Sequence, residues 1–456
     1  MTAYDDFAYP SVPLQQTQPD NLVTQLALHG ARAPDPGRCR VLELGCSDAG
    51  NLAWLAAYSP ESTMLGVDLS AQAVARAQSI IEGLPNIAVR CADLTTLDEG
   101  DFDIVIAHGV YSWLPEPADL LACVDRHLAP DGVAFVSYNT LPGCHVRQMA
   151  GDPLRRFTDG DPERLSGGRT LLQWLASSTS AAPHAQMMRT AAELALAKPD
   201  HLLVHDEMAA ANHPVYFEDF VTRAAAHDLA YLGEAHLADS QTPEGVDLPN
   251  WLPAAEVPRQ QLLDYVRNRA FRQTLLVRPQ NAPSSYFVDP SVLQGMWAGA
   301  PVKRTREGYV LANGVELTTS GEDVHADLDL LARAWPSFVT VADLATDDEV
   351  LLRMVIARGL ELSTRPNAAV MPGDRPEVIG YARRRASIDG AVANTRHTRL
   401  TLDDPISRQI VAHCDGQTTR EDLMRMVVRM PGSPTNPQRD LDALLDGLGR
   451  AGLMVG

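Results

Sequence analysis

The sequence predicts an α/β fold with a Rossmann-like core of seven strands, and two observations support this prediction. In residues 41–51 a short apolar run enters a tight turn between Gly45 and Gly50, and a helical pattern follows. The same alternation of apolar strands with helical segments continues to about residue 138. Strands that alternate with helices pair in parallel, so we expect a doubly wound sheet with its ligand at the carboxyl ends of the strands.

The strands are predicted from short apolar runs bounded by turn-forming residues. They span residues 40–44, 64–67, 87–90, 102–107, 133–138 (after a turn at 130–132), 229–234 and 271–277. A long helical insert, about residues 146–227, separates the fifth and sixth strands and contains amphipathic runs at 169–175 and 185–198. Because it leaves the carboxyl edge of the sheet, this insert is expected to wall one side of the ligand site.

Two smaller α+β units are predicted after the core, joined by a turn-rich linker at 365–376. The first, about 285–364, begins with a hairpin around Asn313-Gly314 and continues with helices at 323–334 and 347–359. The second, about 377–456, has helices at 406–413, 420–428 and 438–451 in a similar order, so both units resemble winged helices. The last helix carries Asp440, Asp442 and Asp446. Its acidity predicts a protein-interaction module, for substrate binding or for a homodimer, and not a DNA reader.

Composition excludes several classes of function. The 456 residues contain 38 Lys and Arg against 58 Asp and Glu, a net charge of −20, without a basic stripe. Nucleic acid is therefore not expected as a partner, because phosphate contacts need clustered Lys and Arg. The six cysteines have no Cys-x-x-Cys spacing, so neither a metal site nor a disulfide framework is indicated. The N-terminus has no charged start followed by an apolar run, so we expect a cytoplasmic protein without membrane insertion.

The turn after the first strand identifies the kind of ligand. Gly45 and Gly50 are five residues apart, which fits neither the dinucleotide pattern Gly-x-Gly-x-x-Gly nor a phosphate loop. Acidic residues instead lie at three strand ends: Glu43, Asp68 and Asp93. The three carboxylates suit the cationic amino acid, the ribose and the adenine amine of one ligand. That ligand is S-adenosylmethionine, which has no phosphates.

Eight stretches carry a family resemblance. They include Tyr-Pro-Ser-Val-Pro at 9–13, residues 41–51, 66–70, 107–115 and 137–143, and further matches at 205–207, 214–217 and 268–273. In these stretches the chain resembles class I S-adenosylmethionine-dependent methyltransferases. More narrowly, it is similar to bacterial enzymes with a methyltransferase regulatory domain and a C-terminal winged-helix-like region, a group that includes protein lysine methyltransferases acting on outer-membrane proteins. Three residues depart from the pattern, Ser47 and Ala49 in the turn and Cys144 after the fifth strand.

The resemblance implies a domain plan and a set of cofactor residues. Residues 1–280 form the methyltransferase core, with an N-terminal arm (1–20) over the cofactor pocket and a regulatory region at about 205–280. The expected cofactor-binding residues are Glu43, Gly45, Cys46, Gly50, Asn51, Asp68, Leu69, Asp93, Leu94 and His108. Asn51 is also expected to cap the helix that follows the turn.

The expected catalytic residues follow the fourth and fifth strands, because that edge faces the transferred methyl group. They are His108, Tyr111, Trp113 and Asn139. The aromatic faces of Tyr111 and Trp113 suit a cationic or methylated amine, and His108 suits a proton acceptor or a cofactor contact. Packing of Trp113 in the core and a purely structural His108 are the alternative. Asp206 and Glu207 are either anchors for a cationic substrate or solvated acids.

These observations predict a protein-lysine N-methyltransferase that positions a neutral amine in line with the methyl group. Two rivals stay open. One is a methyltransferase acting on a small molecule or peptide natural product, and the other is a non-catalytic protein that binds S-adenosylmethionine.

Overall fold

The structure is a computed structural model that describes residues 11–159, 163–243, 245–249, 251–252, 255–306, 308–311, 314–318, 321–431 and 436–456. Predictions for residues 1–10 of the N-terminal arm and for Asn313 in the hairpin turn lie outside these ranges.

A seven-stranded sheet with helices on both faces forms the centre of the molecule, as predicted. Its strands are β1 (Arg40–Leu44), β2 (Thr63–Asp68), β3 (Ile87–Cys91), β4 (Phe102–Ala107), β5 (Leu128–Asn139), β6 (Ala230–Glu234) and β7 (Phe271–Val277). Their spatial order is β3-β2-β1-β4-β5-β7-β6, and β7 alone among these seven runs antiparallel to its neighbours. The carboxyl ends of β1 to β5 therefore meet at one edge, the place where such sheets bind ligands.

Burial on both faces explains why the strands read as nearly continuous apolar runs. Val41 and Ile104 belong to the hydrophobic cluster on one face of the sheet, and Leu42 and Val105 belong to the cluster on the other. All four side chains are fully buried.

The helices span α1 (Pro19–Leu28), α2 (Gly50–Tyr58), α3 (Ala71–Ile80), α4 (Ala118–His127), α5 (Cys144–Thr158), α6 (Arg164–Ala176), α7 (Pro183–Leu196), α8 (Asp200–Leu202), α9 (Phe217–Ala225), α10 (Leu237–Ser240), α11 (Glu256–Arg267), α12 (Glu322–Ala334), α13 (Asp348–Ile356), α14 (Gly380–Ile388), α15 (Pro405–His413), α16 (Arg420–Arg429) and α17 (Pro437–Arg450). Helices α5 to α7 form the predicted insert and bury their own small core, which includes Leu154, Leu172 and Ala192. After α8, Leu203–Glu207 forms a π-helical turn, a rare geometry that is frequent at functional sites.

The turn predicted at residues 130–132 is wrong. These residues bulge within β5, because Phe102 pairs with Leu128 and Ile104 with Val133 on either side of them. Gly132 permits the bulge, since a Cβ there would lie 2.9 Å from the Asp103 carbonyl oxygen.

The smaller strands lie in the two C-terminal regions. They are β8 (Trp297–Gly299), β9 (Lys303–Arg304), β10 (Tyr309–Val310), β11 (Glu316–Leu317), β12 (Val339–Thr340), β13 (Glu361–Ser363), β14 (Ala391–Ala393) and β15 (Arg399–Thr401). Strands β10 and β11 form the hairpin predicted at 308–319. The sequence analysis missed α14 and the β14–β15 hairpin, because three consecutive arginines at 383–385 obscure the apolar periodicity of α14.

The last unit packs directly on the core. The rings of Trp54 in α2 and Tyr381 in α14 meet edge to face with centroids 4.7 Å apart. The Tyr58 hydroxyl donates a 2.8 Å hydrogen bond to the Ala393 carbonyl. Buried residues of the core and of this unit consequently form one hydrophobic cluster. None of the helices within the described ranges combines the length and apolar character needed to span a bilayer.

Candidate active site

The loop after β1 holds its residues in left-handed conformations. Gly45 has φ of 71°, and a Cβ there would lie 2.6 Å from Val110 Cγ2. Ser47 and Ala49, the two departures from the family pattern, have φ of 51° and 60°. A left-handed non-glycine residue costs on the order of 1–2 kcal/mol. The loop thus keeps the glycine-like backbone at both positions.

The N-terminal arm lies against this loop from Ser11 onward. The Ser11 amide donates to Asp48 Oδ1 at 3.0 Å, and Ser11 Oγ accepts from the Asn51 amide at 2.9 Å. Gly50 is needed at this crossing, because a Cβ would lie 2.1 Å from the Ser11 carbonyl oxygen. The described part of the arm therefore closes over the start of α2.

Glu43 presents an unsatisfied carboxylate oxygen beside the loop. The side chain is 4% exposed, and Oε1 accepts a 2.9 Å hydrogen bond from Asn51 Nδ2. Oε2 is buried and has no hydrogen-bond partner within the described part of the chain. Burial raises the pKa of Glu43 to about 8. A buried carboxylate without a full set of partners is costly, so this position favours a cationic ligand group.

Asn51 is a buried junction and not a helix cap. The predicted capping role is wrong, because α2 begins at Gly50 and the Asn51 side chain turns inward, fully buried. Its amide nitrogen is used by Glu43, and its oxygen accepts from the Leu14 amide at 3.0 Å and from His397 Nε2 at 2.7 Å. With these groups occupied, Asn51 acts on its protein neighbours and presents no free surface to a cofactor.

Asp68 ends β2 and is fixed by two backbone amides. Ser47 N donates to Oδ2 and Ser70 N donates to Oδ1, both at 2.8 Å. The next residue, Leu69, is 62% exposed. Asp68 thus stands beside the loop after β1, and its expected contact with ribose hydroxyls stays a prediction.

Asp93 follows β3 and is exposed. It accepts from the backbone amide and the hydroxyl of Thr95 at 2.9 and 2.8 Å, and these bonds lower its pKa. Leu94 packs against the core beside it. Cys46, by contrast, turns its side chain into the core, where burial raises the pKa of the thiol. Cys46 can therefore offer only its backbone to a ligand.

His108 follows β4 as a neutral, hydrogen-bonded side chain. The Gly109 amide donates to Ser137 Oγ at 2.8 Å, and the same hydroxyl is hydrogen-bonded to His108 Nδ1, 3.0 Å away. Burial lowers the pKa of His108 to about 4, so the ring is neutral. The ring meets Phe271, the first residue of β7, edge to face with centroids 6.0 Å apart.

The structure departs from the sequence analysis at Tyr111. Its side chain is fully buried between Tyr138 and Phe220, with ring centroids 5.7 and 5.2 Å away, so no surface remains for an acceptor. Arg223 donates to its hydroxyl at 3.3 Å. Trp113 is half-buried at the end of the same short helical turn, and its expected pocket role stays a prediction.

Asn139 ends β5 inside a polar network that the sequence analysis missed. Its Oδ1 accepts from Arg147 Nη1 at 2.9 Å, and its Nδ2 donates to Asn212 Oδ1 at 3.0 Å. Arg147 Nε in turn donates to Glu207 Oε1 at 3.2 Å. Asn139 is 3% exposed, so it fixes neighbouring groups more than it offers a free amide.

Lys198 extends this network. Its Nζ lies 2.8 Å from Asp206 Oδ2 and 2.6 Å from Glu207 Oε1. Both acids belong to the π-helical turn. The two acids are therefore paired with an ammonium group rather than merely solvated. No spacing in the sequence joins Arg147, Lys198 and Asn212 to Asn139, since the folded insert alone brings them together.

The edge of the sheet fits the expected cofactor. The chain provides a buried carboxylate oxygen without a partner on Glu43, an anchored acid on Asp68 and an exposed leucine beside it. These groups suit a cationic amino group, ribose hydroxyls and the face of an adenine, respectively.

Three family models match the chain. A methyltransferase domain matches residues 42–134, a predicted methyltransferase regulatory domain matches 199–278, and a model described as "PKMT, C-terminal winged helix domain" matches 374–431. The regulatory model includes β6 and β7, which belong to the seven-stranded sheet.

Two relatives come from Rickettsia prowazekii (strain Madrid E). Uncharacterized protein RP789 is 33% identical over 290 residues, which are 60% of this chain and 52% of that protein. Uncharacterized protein RP028 is 30% identical over 233 residues, which are 49% of this chain and 93% of that protein. The chain thus spans about half the length of the first relative and nearly all of the second.

One solved structure matches from end to end. PKMT2 from Rickettsia typhi has a TM-score of 0.86 and 22% identity, with 98% of this chain and 100% of that chain covered. The same protein in complex with AdoHcy gives a TM-score of 0.85. At this identity the likeness shows the fold, including the arrangement of the C-terminal units.

Proposed function

This chain belongs to the class I S-adenosylmethionine-dependent methyltransferases with a regulatory domain and a C-terminal winged-helix domain, and from that premise we propose that it methylates lysine amines in proteins. The observation that carries the proposal is the likeness to PKMT2, a name that denotes a protein lysine methyltransferase, over 98% of this chain. A shared cofactor core alone would favour no acceptor, whereas a shared insert and C-terminal units support a shared class of acceptor.

The residues at the ends of β1 to β3 hold the cofactor. The free oxygen of Glu43 receives the cationic amino group, and Asp68 receives the ribose hydroxyls. Asp93, Leu69 and Leu94 surround the adenine, Gly45 and Cys46 offer backbone groups, and Gly50 keeps the N-terminal arm close. When bound, S-adenosylmethionine supplies a methyl group on a positively charged sulfonium, which a neutral amine can attack in line.

His108 suits the methyl end of this site because it is neutral. A protonated imidazole would repel both a sulfonium and an approaching ammonium. With Nδ1 engaged by Ser137, Nε2 is left to hydrogen-bond with a ligand atom or water. Trp113 and Phe271, which is 41% exposed, offer ring surfaces for the acceptor chain. Asn139 acts by fixing Arg147 and the insert.

The acidic pair in the insert does not by itself select an acceptor. Asp206 and Glu207 pair with Lys198 and Arg147, so these four groups together carry no net charge. Methylation of a small molecule and a non-catalytic role are the two rival functions. The following experiment distinguishes both from methylation of protein lysines.

Binding and transfer are tested on one preparation. We expect S-adenosylhomocysteine to bind in calorimetry, and Asp68→Ala to weaken it at least tenfold, because charge-assisted hydrogen bonds contribute roughly 1.5–3 kcal/mol. Asp101→Ala, an exposed acid at the opposite edge of the sheet, is the matched control and should bind normally. A labelled methyl donor should then deliver its label to lysine in a lysine-rich protein mixture.

Three results would contradict the proposal in different ways. Label on small molecules alone would favour a small-molecule acceptor. Binding without any transfer would favour a sensor. No binding by the wild-type chain would remove the methyltransferase proposal altogether.

A further inference from the structure

We infer that the C-terminal unit is part of the cofactor site, because its residue His397 positions Glu43 through Asn51. The inference rests on the proposed function in one respect, the contact of Glu43 with the cofactor. His397 is a positioning residue, since it acts on Glu43 and touches neither cofactor nor substrate.

The path consists of two short hydrogen bonds. His397 is 1% exposed, and its Nε2 lies 2.7 Å from Asn51 Oδ1. An amide oxygen only accepts, so Nε2 must carry the ring proton. The same oxygen accepts from the Leu14 amide and from the Thr17 hydroxyl, and these three contacts on the oxygen direct the amide nitrogen of Asn51 toward Glu43.

The turn that carries His397 is built to hold it. Asn394 accepts from the Arg396 and Thr398 amides at 3.0 and 2.8 Å and donates to the Ala451 carbonyl at 2.7 Å. His397 itself has φ of 58°, a left-handed conformation that persists only where the surroundings fix it. Burial also lowers the pKa of His397 to about 3, so it enters the site as a neutral donor.

This path determines which of the two carboxylate oxygens of Glu43 is available to a ligand. Asn51 Nδ2 occupies Oε1, and Oε2 remains for the ligand. Without the donor on His397, the Asn51 oxygen keeps contacts from the N-terminal segment, those with the Leu14 amide and the Thr17 hydroxyl, and its amide group is less firmly oriented toward Glu43. The ligand then meets a carboxylate whose orientation is no longer set.

The test is S-adenosylhomocysteine binding by calorimetry, with two substitutions at one position. His397→Leu removes the donor and should weaken binding about fivefold, the effect of one hydrogen bond of roughly 1 kcal/mol. His397→Gln places an N–H at a similar distance from the backbone and should bind within about twofold of the wild-type chain. Urea unfolding of both variants shows whether they fold equally well.

Two controls separate positioning from loosening of the interface. Tyr58→Phe removes the other hydrogen bond between α2 and the same hairpin, with no path to Glu43, and should leave the affinity unchanged. In an Asn51→Ala background, His397→Leu should add no further loss, because residues that act through one path are not additive.

The outcomes are distinct. Normal binding by His397→Leu, a loss in His397→Gln as large as in His397→Leu, or an additive double variant would each overturn the inference while leaving the proposed function standing. Should His397→Leu not fold, Asn51→Ala cuts the same path, and wild-type affinity in that variant would also overturn it. No binding by the wild-type chain would instead overturn the proposed function.

Discussion

The two halves of the sheet edge are built in different ways. On the β1–β3 side two of the three acids are held by backbone amides close by in sequence, Asp68 by Ser70 and Asp93 by Thr95. On the β4–β7 side the polar groups are held by side chains from other elements, as Asn139 is by Arg147 and Asn212. Asp68 and Asp93 of the cofactor half are therefore held by local contacts, although Glu43 also depends on His397 through Asn51, whereas the acceptor half exists only when the insert and β7 are in place.

The largest expected effect tests how far the acceptor half depends on buried charge. Arg272 in β7 is fully buried and pairs with Glu234 and with Asp264, the latter at 2.9 Å. We expect Arg272→Met to lower the free energy of unfolding by about 3–5 kcal/mol, because it leaves two buried acids without their partner. Urea unfolding measures this loss.

Arg353→Met is the matched control for that substitution. Arg353 pairs with Glu349 on the surface, where its side chain is 69% exposed. Such exposed pairs contribute about 0.5 kcal/mol or less. Equal losses in the two variants would mean that the acceptor half does not depend on its buried ion pairs.

The next effect concerns the pH dependence of the cofactor half. The pKa of Glu43 is raised to about 8 from an ordinary value of 4.5, so the folded chain binds a proton there that the unfolded chain releases. Its contribution to stability is complete below about pH 4.5 and is lost as pH rises through about 8. Neighbouring Asp48 and Asp68 act in the same direction, since negative charge on them raises the pKa of Glu43, whereas the hydrogen bond from Asn51 lowers it.

Unfolding at several pH values compares the wild-type chain with Glu43→Gln, which cannot titrate. We expect the wild-type chain to lose stability relative to the variant between about pH 5 and 8. We also expect S-adenosylhomocysteine to bind more tightly as pH rises over this window, because its cationic amino group favours ionised Glu43. Parallel pH profiles for the two chains would show that Glu43 is not the group that titrates.

The smallest expected effect concerns Tyr111. In a core position Tyr111→Phe loses only the 3.3 Å hydrogen bond from Arg223, so stability should fall by about 1 kcal/mol and methyl transfer should persist. Transfer of labelled methyl groups and urea unfolding are measured on the same variant. A folded Tyr111→Phe chain that has lost transfer would give its hydroxyl a role in the acceptor half after all.

Predictability from the sequence follows the same division. Strand β4 was predicted with its observed bounds, and Glu43 and Asp68 were placed at strand ends, because apolar runs and the residues that end them are local signals. The capping role of Asn51 failed because its partners, Leu14 and His397, are distant in sequence. Local pattern would have favoured a cap at this position, and tertiary contacts overrode it.

The acceptor half gave weaker signals for a physical reason. An aromatic residue after a strand suits a pocket or a core equally well, and only the positions of Tyr138 and Phe220 decide that Tyr111 is core. Lys198 was visible as one of only two lysines in the chain, yet its pairing with Asp206 depends on how the insert folds. The hairpin that carries His397 was missed because its strands are three residues long.

The long-range bond to Asn51 also has a consequence for biosynthesis. Asn51 and His397 are 346 positions apart, and a ribosome adding about 5–20 residues per second needs roughly 17–70 seconds to cover that distance. During this interval the Asn51 side chain of the nascent chain lacks its hydrogen bond from His397, because His397 has not yet been synthesised. The pocket beside Glu43 is therefore completed only after residue 397 has left the exit tunnel.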